Sequence, residues 1–201
     1  MKLFKFRPLG TCKQLERIED IIENGFFCCN FLKFNDMNEG VFKITCKNSD
    51  DIFSQKQEYK ICSFSGKDSL QNQLMWGHYA NAGMGVVIEI DVDNCSKIKQ
   101  VEYATTFPND LDSVEEILTH KSKDWEYEKE FRYLSKDSIS DNVRIGKITK
   151  TYFGTPYEKL GNFSKIKENH ENLKKYHKLR YNLKNYLDEM KIDYEDFEFN
   201  F

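Results

Sequence analysis

Three short stretches carry the side chains best suited to chemistry. The stretch WEYEKEFRYL, residues 125–134, sets Glu126, Glu128, Glu130 and Arg132 at alternate positions. As one extended strand it would present these four on one face and Tyr127, Lys129, Phe131 and Tyr133 on the other. A Glu-x-Glu pair suits acid–base work beside a developing positive charge. Two carboxylates roughly 6–7 Å apart along a strand leave room for a reacting group between them. The same letters fit a solvated strand edge with Arg132 balancing the charge. They also fit a helix, with Glu128 and Arg132 as an i, i+4 pair above Tyr127, Phe131 and Leu134. The aromatic run FRYL favours a strand.

The second stretch, LFKFRPLG, puts Lys5 and Arg7 two apart, pointing the same way on a strand. The planar fork of arginine suits a phosphate; a solvated basic pair is the plainer alternative. In the third, CSFSGKDS, Ser63 and Ser65 share a strand face that ends at Gly66. Two hydroxyls there can orient a ribose or a carboxylate, or they are ordinary small residues at a strand end. LMWGHYANAG adds Trp76, His78 and Tyr79. Trp76 reads first as core, or as a stacking surface for the flat ring of a ligand. His78 and Tyr79 are equally readable as packing residues or as ligand contacts. Asn35, Asp36 and Glu39 lie in FNDMNEG and read mainly as turn formers.

Composition narrows the classes. The chain has 201 residues, 39% hydrophobic and 31% charged, which fits one domain with a core and excludes a disordered chain. A net charge of -3 gives no overall drive toward nucleic acid or membrane. Charge is uneven, however. Residues 159–184 carry eight Lys/Arg against two Glu, and residues 188–201 carry six acids against one Lys. The basic stretch is expected to be a solvated helix face, or else a nucleic-acid contact over which the acidic tail folds as a mimic. The six cysteines show no C-x-x-C and no zinc-type spacing, so no metal is expected. No secretory leader and no membrane-length apolar run is seen, and the expectation is a cytoplasmic protein with reduced thiols and no membrane partner.

The pattern of apolar and polar residues predicts the elements that must hold these side chains. Strands are expected over LFKFRPLG, FFCCNFLKFND, YKICSFSG, GMGVVIEIDVD, QVEYAT, EKEFRYLS and VRIGKITKTYFG. Helices are expected over TCKQLERIEDIIENG, over SLQNQLMWGHYANAG with Leu70, Leu74 and His78 along one side, and over DSVEEILTHKSKDW with Ser113 and Glu116 at capping-box spacing. Residues 47–59 read as loop or irregular helix. Residues 163–191 read as an amphipathic helix or helix pair, with Leu173, Tyr176, Leu183, Leu187 and Met190 inward. Strand and helix do not alternate regularly, so the fold class is α+β with a mixed or antiparallel sheet. A single domain over 1–201 divides into a core to residue 160 and a C-terminal helical segment with its tail.

The order of the three stretches, Arg on a first strand, then Ser-x-Ser, then Glu-x-Glu, resembles the ADP-ribosyltransferase superfamily. That resemblance implies NAD as substrate, Arg7 or Lys5 on its phosphate or ribose, and Ser63 and Ser65 ordering the site. It implies Glu130 as the catalytic glutamate and Glu128 as the residue that activates the acceptor. LFKFRPL, FLKFNDMNEG, LMWGHYANAGMGVVIEID and WEYEKEFR also resemble a bacterial family of domain of unknown function 2971, departing from its pattern where MNEG follows FND. Toxin-like and phage-defence roles enter through resemblance alone. The alternatives are a non-catalytic nucleotide- or nucleic-acid-binding module and, behind it, a metal-dependent nuclease using Glu128, Glu130 and Asp36.

Overall fold

The computed structural model describes residues 1–34, 49–106, 113–136 and 140–199. In chain order the strands are β1 (Lys2–Pro8), β2 (Phe26–Phe27), β3 (Lys60–Ser65), β4 (Gly85–Val92), β5 (Ile98–Gln100), β6 (Glu102–Ala104), β7 (His120–Ser122), β8 (Glu130–Ser135), β9 (Asn142–Val143), β10 (Gly146–Phe153) and β11 (Asp193–Asp196). The α-helices are α1 (Cys12–Asn24), α2 (Ser49–Glu58), α3 (Gln73–Tyr79), α4 (Val114–Ile117), α5 (Phe163–Asn169) and α6 (Glu171–Met190).

Seven strands form one mixed sheet in the order β11-β10-β4-β1-β3-β8-β5, with helices around it. Strand β4 lies inside the sheet, between β10 and β1, and its alternate residues serve two cores at once. Val86, Ile88 and Ile90 face a large cluster with Leu3, Ile18, Ile21, Phe64 and the buried side of α6. Val87 faces the other side, with Phe4, Phe6, Met75 and Trp76. Cover on both faces explains the apolar run Val86–Ile88, beyond which Glu89 and Asp91 alternate with the buried Ile90 and Val92. Helix α1 starts where the Thr11 and Gln14 side chains cap reciprocally, and ends at Gly25, whose φ of 102° suits glycine.

The sheet is uneven along its width. Strands β1 and β4 pair over seven residues and β3 and β8 over six, all antiparallel. Between β1 and β3 the registered pairing is Phe4 with Ser65 alone. Beyond it, Ile61 exchanges both backbone hydrogen bonds with Cys29 instead of with β1. The two strands therefore diverge into a wedge, closed at its wide end by the Cys28–Cys29 segment.

Several expected elements are altered. FFCCNFLKFND is mostly not a strand: β2 is two residues long, Cys29 makes an isolated bridge, and Phe31–Lys33 is a 3-10 turn. Residues Ser49–Glu58 are a regular α-helix. The helix expected over 69–83 divides into a 3-10 segment, Lys67–Gln71, and α3, because the Asn72 side chain caps a new start at Leu74. Its buried side is Met75 and Trp76, while Leu74 is exposed. DSVEEILTHKSKDW gives a single turn, α4, capped by Ser113, then strand β7 and a 3-10 segment. VRIGKITKTYFG splits into β9 and β10. Met190 is exposed, whereas Leu173, Tyr176, Leu183 and Leu187 are buried as expected. Part of the tail is itself a strand, β11, parallel to β10. No helix among the described residues is long and apolar enough to cross a membrane. Asn35, Asp36 and Glu39 lie outside the described residues.

Candidate active site

The wedge between β1 and β3 is a cleft of about 500 Å³, a size typical of small-molecule sites. Four consecutive residues of β1, Phe4 to Arg7, and five of β3, Ile61 to Ser65, line it. Side chains on a strand alternate between faces, so consecutive lining residues mean that the cleft runs between the strands rather than along one face.

Seven of the nine residues singled out from the sequence, Lys5, Arg7, Ser63, Ser65, Tyr79, Glu128 and Glu130, line this one cleft. Trp76 and His78 do not. Trp76 is core: its indole donates to the Leu70 carbonyl at 2.8 Å and its ring stacks on Phe197 at 5.1 Å. His78 is on the surface, its ring 5.9 Å from that of Tyr127.

Glu128 and Glu130 reach the cleft by a different route from the one expected. Lys123–Glu128 is a 3-10 segment, and Lys129 turns the chain through left-handed geometry, φ 46° and ψ 50°, before β8 begins at Glu130. The common strand face expected for Glu126, Glu128, Glu130 and Arg132 is thus not formed. Glu126 stays half-exposed and pairs loosely with Lys129 at 3.8 Å. The register of β3 and β8 sets Ser65 opposite Glu130 and Ser63 opposite Arg132. This rung brings the second and third sequence stretches together.

Both carboxylates are buried and both are paired. Arg132, fully buried, grips Glu130 with two donors, Nε to Oε1 at 2.8 Å and Nη2 to Oε2 at 3.1 Å, and donates a further bond to the Leu118 carbonyl. The Lys121 ammonium bridges the pair, 2.7 Å from Glu128 and 3.3 Å from Glu130. The Tyr79 hydroxyl donates to Glu128. The Tyr103 hydroxyl accepts the Glu130 backbone N–H at 2.8 Å. Tyr103 and Lys121 arrive on one rung of the small β6–β7 ribbon.

These surroundings push the two carboxyls apart. Burial alone would raise Glu130, but the charge and hydrogen bonds of Arg132, then Lys121 and the Ser63 hydroxyl, bring it down to about 2. Glu128 is raised: burial and the Glu130 charge together outweigh Lys121 and Tyr79. Separation of this kind assigns different tasks to two carboxyls. Glu130 is held ionised, and Glu128 is the better proton acceptor.

The opposite wall is cationic. The Lys5 ammonium donates to the Ser63 carbonyl and lies 5.5 Å from the centre of the Phe64 ring. The Arg7 Nε is buried with no hydrogen-bond partner. Among the described residues no carboxylate pairs with either side chain. Burial lowers the pKa of both, with the nearby Cys62 acting in the opposite sense. Since Lys121 and Arg132 already offset the two glutamates, the cleft carries a surplus of positive charge and an unsatisfied donor. It is built to take an anion.

Sequence reasoning missed Lys121, Tyr103, the gripping role of Arg132 and the Cys62 wall. Only Arg132 had a signal, its i+2 spacing from Glu130. No protein-family model, curated protein or solved structure matches the chain.

Proposed function

We propose that the cleft binds NAD and that the protein breaks the bond between its ribose and nicotinamide, passing ADP-ribose to a macromolecular acceptor or to water. The observation that carries this reading is the meeting of Arg7, Ser63 and Glu130, from three separate stretches, in one cleft between diverging strands. An ADP-ribosyltransferase-like sheet is part of the same proposal, and so is the likeness to that superfamily.

In this reading Arg7, assisted by Lys5, takes the pyrophosphate through its unpartnered donor. Ser63 and Ser65 hold Glu130 and the ribose hydroxyls. As nicotinamide leaves with the bonding electron pair, the ribosyl carbon gains positive charge, and the ionised Glu130 stabilises it. The acceptor then bonds to that carbon and gives its proton to Glu128, whose raised pKa suits a base. Arg132 fixes the orientation of Glu130, and the longer of the two Lys121 contacts is the one a ribose hydroxyl would share. A toxin-like or phage-defence role rests on the resemblance of motifs alone.

One observation favours a second reading. Glu130 is already held by Arg132 and Lys121, and carboxylates so fully paired also occur in binding sites without turnover. Calorimetric titration with NAD, paired with an assay of nicotinamide release, separates the two. Both readings require binding that weakens at least about tenfold in Arg7→Gln, the scale of one charged hydrogen bond. Release that accompanies binding supports the enzyme, and binding without release with cell lysate present supports the module. NAD that neither binds nor is consumed overturns both.

A further inference from the structure

The wide end of the wedge holds a pair of thiols that the proposed chemistry leaves unused. Cys29 and Ile61 exchange both backbone hydrogen bonds, Cys29 N–H to Ile61 carbonyl at 3.0 Å and the reverse at 2.7 Å. Antiparallel continuation of this isolated bridge by one residue would set Cys28 opposite Cys62 at a position without cross-strand hydrogen bonds, and the Cys28 backbone N–H turns away to the Asp141 carbonyl at 2.7 Å. Directly opposed residues at such a rung have Cα atoms about 4.5 Å apart, inside the span a disulfide needs. The two thiols sit in the same core cluster and shift each other's ionisation, while the Cys28 thiol also donates to the Phe26 carbonyl at 3.5 Å. Cys62 is among the residues lining the cleft, but both thiols are almost fully buried, 2% exposed for Cys62 and 1% for Cys28.

The surroundings divide the labour between them. Burial works against ionisation of Cys62, but the neighbouring Cys28 and the Lys5 and Arg7 charges win, bringing its thiol down to about 6. Cys28 is pushed the other way, by Cys62 and by burial, so it keeps its proton. A thiolate beside two cations, in the wall of a cleft that a small peroxide can enter and backed by a second thiol, has the make-up of a peroxide-reactive cysteine with a resolving partner.

We propose that Cys62 is a redox modification site that reacts with hydroperoxides and is resolved by Cys28 as an intramolecular disulfide. In the first step the Cys62 sulfur attacks the peroxide. An S–O bond forms, the O–O bond breaks, and the departing alkoxide or hydroxide takes a proton from water to leave as alcohol or water. In the second step the Cys28 sulfur attacks the Cys62 sulfenic acid, forming the S–S bond and expelling water. Each sulfur loses one electron, and the peroxide bond takes up both. Neither step needs NAD, so the proposal stands apart from the reading of the cleft as an enzyme.

The test is peptide mass mapping of the whole protein after brief exposure to low hydrogen peroxide at neutral pH. Peptide 18–33 is expected joined to peptide 61–67 with the loss of two hydrogens, before the exposed Cys12 and Cys95 react. Because Cys28 and Cys29 share one peptide, the variants decide which of them pairs. Cys29→Ser keeps the cross-link, whereas Cys28→Ser loses it and leaves a Cys62 sulfenic acid that a 1,3-diketone traps. A cross-link that survives Cys28→Ser overturns the proposal. So does a wild-type protein in which Cys12 and Cys95 oxidise while Cys62 stays reduced, a result that requires no variant to fold.

Discussion

Arg132 decides what charge Glu130 presents to the cleft, since it is fully buried and grips that carboxylate with two donors. Removing one member of such a pair strands the other, so Arg132→Leu is expected to cost about 3–5 kcal/mol in urea unfolding. Replacing both, Glu130→Leu with Arg132→Met, should recover most of that loss, because the desolvation penalty goes with the charges. The pH dependence follows with a definite sign. Glu130 sits near 2 when folded, against 4.5 as its ordinary value, so its contribution is present above pH 4.5 and is lost as pH falls toward 2. Glu128 is shifted upward and acts oppositely, favouring the folded state as pH falls through its raised value. Unfolding midpoints of wild type and Glu130→Gln should therefore converge between pH 4.5 and 2, and a constant gap across that range would contradict the assignment. At this scale the sequence made Arg7, Ser63, Glu128 and Glu130 legible as types at given spacings. It could not reveal Lys121, which reaches the carboxylates only because β7 pairs in parallel with β6.

A single left-handed residue separates the two catalytic candidates. Lys129, with φ 46°, lets Glu128 end a 3-10 segment while Glu130 opens β8, and its carbonyl accepts the Gly66 N–H at 2.9 Å. A side chain branched at Cβ is strained there, so Lys129→Val should lower stability by about 1–2 kcal/mol, while Lys129→Gly should be neutral or slightly stabilising. Thermal unfolding of the two variants checks this, and equal losses would deny the turn its role. This turn also marks where pattern reading failed. Alternating glutamates across 126–130 mimic a strand, because periodicity registers residue types and is blind to one residue at positive φ. The reverse occurred at Asn72, whose cap divides a stretch that reads as one helix. The strands β1 and β4 were legible because apolar residues recur at every second position there, and β8 because its aromatic run FRYL favours a strand over the helix its spacing also allows. The divergence of β1 from β3 was not, since it depends on Cys29 capturing Ile61, a contact 32 residues apart in the chain.

Across the whole molecule, the C-terminal segment locks the sheet rather than standing apart from it. Phe197 stacks on Trp76, and Asp196 pairs with Arg180 at 2.6 Å and Lys184 at 2.8 Å. The acidic tail thus takes up part of the basic stretch, while Lys174, Lys175 and Lys178 remain exposed. Phe197→Ala should cost about 3–5 kcal/mol, as large core truncations do, measured by chemical denaturation. A loss below about 1 kcal/mol would mean that the tail is only resting on the core. That the tail is acidic and aromatic was plain from its letters; that it adds a strand parallel to β10 depended on α6 carrying the chain back across the sheet. The cleft lies in the middle of this assembly, with cations on one wall and paired carboxylates on the other, and its proposed use is the cleavage of NAD. The most direct measurement is the rate of nicotinamide release from NAD by wild type and by Glu130→Gln, in the presence of cell lysate to supply acceptors. The account predicts release by wild type, and a fall of about a hundredfold or more in a folded Glu130→Gln protein that still binds NAD. Equal rates in the two proteins, or no release from a wild type saturated with NAD, would contradict it.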